Sequence, residues 1–60
     1  HMGPTVSESF FHLGSVARDL GRSAEAARAF RTAAVMDPWG SYGRRSQEAL
    51  DRMRGARPRN

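Results

Sequence analysis

Cysteine and lysine are both missing from these 60 residues. Without a thiol there is no disulfide and no thiolate metal site to staple a small fold, so its stability must come from packing. Without lysine, all ten basic side chains are arginine, set against six acids for a formal net charge of +4. A GC-rich coding sequence would by itself enrich arginine, but the planar guanidinium fork also suits carboxylate and phosphate, which favours an acidic partner. Long apolar runs are lacking too. None approaches the roughly 20 residues a membrane span needs, and no basic-then-apolar stretch resembles a signal peptide, so a cytoplasmic chain with no membrane span is the expectation.

Histidine is scarce. His1-Met2 looks like a remnant of tag removal, with residues 1–4 as lead-in, which leaves His12 without a second histidine or cysteine at ligand spacing. His12 therefore reads as a polar surface residue. The hydroxyls have no base in a recognisable arrangement, and the stretch Gly40 to Gly43 lacks the lysine of a phosphate loop. These absences argue against an enzyme and leave no catalytic residue, metal ligand or cofactor to name.

What the chain does have is helical periodicity. Phe10, Leu13, Ala17 and Leu20 recur at spacings of three and four, with Val16 widening the stripe. Pro4 marks the entry, Thr5 with Glu8 three residues on reads as a capping box, and Gly21 as a left-handed stop, so a first helix is expected over about residues 6–20. Ser23 is the expected cap of a second helix, Ala24 to Met36, with Glu25 in its first turn and a buried edge of Ala26, Ala27, Phe30, Ala33 and Ala34. Arg22, Arg28 and Arg31 fall on its wet side. Asp37-Pro38-Trp39-Gly40 breaks the pattern, because the residue before proline is pushed out of helical geometry. A third helix follows from Ser41 to Arg54, thinly apolar at Tyr42, Ala49, Leu50 and Met53. Trp39 is expected as a packing plug beside Phe30, and residues 55–60 as a disordered basic tail.

Phe10, Leu13, Gly14, Ala26, Phe30 and Pro38, with a small residue at Ala33, resemble the tetratricopeptide repeat in register, a helix-turn-helix unit of roughly 34 residues. Phe10 stands where tryptophan is usual and Ala17 where tyrosine is usual. The resemblance implies an all-α fold: a helical hairpin over residues 5–38, with residues 39–54 as a capping helix. Gly14 has a physical role of its own there, since a position without a side chain lets the second helix lie close. Only one repeat is present, so its open side calls for flanking repeats or for a second copy of the chain, a homo-oligomer.

The resemblance also implies a function in protein–protein interaction, as a scaffold or adaptor unit. Carried over by position, the groove side would be Glu8, Phe11, Ser15, Arg18 and Asp19 of the first helix with Tyr42, Arg45, Ala49, Arg52 and Met53 of the third. Members of the family that clamp a peptide carboxylate use lysine and asparagine where Phe11 and Ser15 stand here, so an apolar or amphipathic protein or peptide ligand is expected, with acidic residues meeting the arginines. The residues leave a second use open: Phe11, Tyr42 and Met53 would equally form the floor of a small core. The alternative function is binding of nucleic acid or another polyanion through Arg44, Arg45, Arg52, Arg54, Arg57 and Arg59. Against it, no aromatic residue is interleaved with those arginines, so nucleic acid is the less favoured partner.

Overall fold

The computed structural model describes residues 6–55, which form three α-helices, α1 (Val6–Asp19), α2 (Ser23–Met36) and α3 (Ser41–Gly55), with no strand among the described residues. Helices α1 and α2 make a hairpin, and α3 lies against both, more closely on α2. Thr5, expected to cap α1, and residues 56–60 lie outside the described residues.

Gly21 makes the first corner. Its φ of +81° is in the left-handed region, which a side chain disfavours and glycine adopts freely. The turn closes as a Schellman motif: Arg22 N–H donates to the Ala17 carbonyl at 2.8 Å and Gly21 N–H donates to the Arg18 carbonyl at 3.0 Å. Arg22 is thereby consumed by the end of α1 and at once caps α2, where its carbonyl accepts from Ala26 N–H at 2.9 Å and its side chain makes no capping bond. Ser23 is the first residue inside α2, which corrects its expected place as the cap. The link is too short to leave a free residue for that task.

The second corner is built on Asp37. Its carbonyl accepts from Gly40 N–H at 3.1 Å, and its carboxylate accepts from the hydroxyl of buried Ser7 at 3.4 Å, tying the start of α1 to the end of α2. A Cβ at Gly43 would run into the Asp37 carbonyl, so only glycine lets α3 begin this close to the turn.

Phe30 is the centre of the core, fully buried, with Ala17, Ala26 and Ala49 around it and Phe11, Leu50 and Met53 packed on the outside. Its ring lies on Gly14, where an added Cβ would come within 2.7 Å of two ring carbons. The buried edge of α2 is Ala26, Ala29, Phe30 and Ala33, whereas Ala27 and Ala34 are half-buried beside α3. One expectation is reversed. Of the stripe Phe10, Leu13, Ala17 and Leu20, only Ala17 is buried; Leu13 is 56% and Leu20 65% exposed, and Val16 is exposed beside them. Trp39 is 90% exposed and is no plug: Phe30 is already enclosed by alanines and Phe11, and the Asp37 turn carries the indole into solvent.

Two stability changes follow. Alanine at position 14 gains roughly 1 kcal/mol of helix propensity, but overpacking a fixed ring costs about 1–3 kcal/mol. Gly14→Ala is therefore expected to lower stability by about 1 kcal/mol and Gly14→Leu to open the hairpin. Thermal unfolding followed by circular dichroism measures both, and a midpoint for Gly14→Ala at or above that of the parent would show that the ring does not rest on this position. Ser46 is buried, and among the described residues its hydroxyl has no hydrogen-bond partner. Since such a group costs about 1–3 kcal/mol, Ser46→Ala should raise stability by about 1 kcal/mol in the same experiment; a loss would mean that the hydroxyl is bonded.

Candidate interaction surface

Four of the residues expected to line a groove are joined instead into one stack across the core. The Phe11 ring lies 5.8 Å from that of Phe30 and 5.5 Å from that of Tyr42, both tilted. Guanidinium groups close the two ends, Arg18 at 5.6 Å over Phe30 and Arg45 at 5.4 Å over Tyr42. Cations over ring faces are attracted by the ring quadrupole, so this Arg–Phe–Phe–Tyr–Arg series holds its own side chains in place. His12 leans on it from outside, 5.7 Å from Phe11 and 6.0 Å from Tyr42, with Nε2 3.7 Å from a Glu8 carboxylate oxygen.

The other expected groove residues divide. Ala49 is buried in the core cluster, so its methyl is not offered to a ligand, and Met53 packs on that cluster from the edge. The reason is the thinness of α3, whose aliphatic contacts with the hairpin are Ala49, Leu50 and Met53, beside the Tyr42 ring. Ser15 is half-buried, and Asp19 and Arg52 are exposed. Between the two uses left open for Phe11, Tyr42 and Met53, the geometry has all three half-buried, with Phe11 and Met53 against the core and Tyr42 stacked on Phe11.

The open surface lies on the other side of the hairpin. A groove of about 320 Å³ runs between α1 and α2, with Phe10, Leu13 and Ala17 on one wall, Ala29 and Thr32 on the other, and Glu25 and Arg28 at the rim. Three to four residues apart along the same helices, exposed Val16, Leu20 and Met36 prolong the apolar area beyond the groove. Sequence periodicity found these α1 residues but assigned them to the core. The missing signal was the pairing of Gly14 with Phe30. Because that contact turns position 14 toward α2, Ser7, Phe11 and Arg18 come inward with it, and the stripe one residue away is swung to the edge.

Among the described residues no group of three His, Cys, Asp or Glu side chains could hold a metal ion, and no helix is long and apolar enough to cross a membrane. The arginines of α3, Arg44, Arg45, Arg52 and Arg54, are all exposed, whereas Arg57 and Arg59 lie outside the described residues. Compared with protein-family models, curated proteins and solved structures, the chain has no significant match to any of them.

The two aromatic positions should behave oppositely. Phe11→Ala removes a ring that bridges two others and should cost about 2–3 kcal/mol, somewhat below a fully buried phenylalanine because Phe11 is only half-covered. Trp39→Ala should stay within about 0.5 kcal/mol of the parent. Urea unfolding of both variants gives the comparison, and a large loss at Trp39 would place the indole in the core.

Proposed function

We propose that the chain is a protein–protein interaction unit of the tetratricopeptide-repeat kind, which takes an apolar helix face into the open groove of its α1–α2 hairpin. One observation carries this reading: the molecule buries alanines and a single large ring while Leu13 in the groove wall, and Val16, Leu20 and Met36 elsewhere on the hairpin, are left more than half exposed. A contiguous exposed apolar area on so small a chain marks a contact surface. A shallow trough between two antiparallel helices suits a third helix presenting apolar residues at i, i+3, i+4 and i+7. The register of Phe10, Leu13, Gly14, Ala26, Phe30 and Pro38 supports the same reading, as does the outer face of α3, where Arg44, Arg45, Glu48, Asp51 and Arg54 are exposed as expected of a helix that closes an array.

Polyanion binding through α3 draws less support. Its arginines alternate with Glu48 and Asp51, Arg45 is engaged over Tyr42, and Phe11, Phe30 and Tyr42 are engaged with one another, so Trp39 offers a strand one exposed ring beside α3 and not a stacking platform.

Selection from a displayed library of helical peptides tests the proposal. Amphipathic helices should be enriched, their footprint should fall on amides of Phe10, Leu13 and Ala29 in nuclear magnetic resonance spectra, and Leu13→Asp should weaken binding at least about tenfold. Leu13 is exposed, so this variant keeps its fold. A selection that yields only peptides indifferent to Leu13→Asp would overturn the reading.

A further inference from the structure

We infer that the open face of the hairpin is covered by the same face of a second copy of this chain, giving a two-fold dimer in which α1 and α2 of both copies share one core. The inference rests on the interaction reading above and names the occupant of the groove.

The chain's own surfaces leave few ways to cover that face. If copies stacked head to tail, the outer side of α3 would be pressed onto Leu13 and Leu20, and its five charges, Arg44, Arg45, Glu48, Asp51 and Arg54, would lose water against a groove that offers Glu25 and Arg28 as charged partners, too few to pair them all. Burying charges unpaired is more costly than the apolar contacts are favourable. Pairing the face with itself sets Leu13 and Leu20 against the apolar residues of the same face in the copy and leaves both α3 surfaces in water. Because one patch then meets its own copy, the assembly closes at two.

The charges at the rim fit this arrangement. Glu25 and Arg28 stand one helical turn apart on α2, opposite in sign, at the edge of the groove. A two-fold axis passing between them sets Glu25 of each copy opposite Arg28 of the other, so the rim is complementary to itself. Among the described residues Glu25 is held loosely, 3.7 Å from Arg22 with both side chains 64% exposed, a contact its carboxylate can exchange for Arg28 of a copy. The floor of the groove is Ala17 and Ala29, small enough for the large residues of a second copy to reach it.

Sedimentation equilibrium between about 1 µM and about 1 mM tests the dimer, since a dissociation constant in that window moves the mass from one chain, 6.6 kDa, toward twice that value. Leu13→Arg should hold the mass at one chain with its helical circular dichroism retained. Glu25→Arg and Arg28→Glu should each weaken association about tenfold, and the double variant should restore it to within about threefold of the parent. A single-chain mass throughout, a mass that climbs past two chains, or a dimer untouched by Leu13→Arg would each overturn the inference. If the mass stays at one chain while a selected helical peptide still binds at Leu13, the second copy is wrong and the interaction unit stands; if no such peptide binds either, both fail.

Discussion

The contact of the Phe30 ring with Gly14 governs the rest of this fold. A helix is nearly rigid, so fixing which of its positions faces a neighbour fixes the direction of all the others. With Gly14 turned to α2, Ser7, Phe11 and Arg18 follow at spacings of three and four, and each finds a partner: the Asp37 carboxylate for Ser7, two rings for Phe11, the face of Phe30 for Arg18. The same rotation sends Leu13, Val16 and Leu20 to the outside. Core and exposed face are thus two results of one contact.

Much of this was legible in the sequence. Three helices, their limits to within a residue or two, the left-handed glycine at position 21 and the close approach at Gly14 all follow from local chemistry: periodicity, breakers and the absence of a side chain. What local chemistry could not give was the rotation of α1. Its apolar residues span an arc wider than one neighbour can cover, and hydrophobicity alone favours the side with most leucine. Shape favoured the other, because a ring fits against a glycine and not against a leucine. Trp39 was misjudged for a related reason, since size predicts burial only where the backbone leads inward. Ser7 and Ser46 were invisible to any apolar pattern, and the Asp37 partner of Ser7 lies 30 positions away.

The candidate surface was legible in its parts and not in its placement. Phe11, Tyr42, Arg18 and Arg45 were expected side by side, and they are, but as a stack that locks the hairpin to α3. Residues able to bind a partner's apolar and acidic groups can bind one another when a chain this short has little else to pack. The aromatic capital of α1 and α3 is spent internally, and the aliphatic stripe beside it is left over.

The Schellman corner at Gly21 also bears on the order in which the molecule assembles. Joining α1 to α2 closes a loop of only three residues, with its hydrogen bonds made inside the turn itself, so little chain entropy is lost in bringing Gly14 and Phe30 together. Docking α3 needs the Asp37 corner, the fit of Gly43 under it and contacts from both arms of the hairpin. The hairpin therefore closes at the smaller cost in chain entropy, and α3 gains its full set of contacts only where both arms of the hairpin are in place.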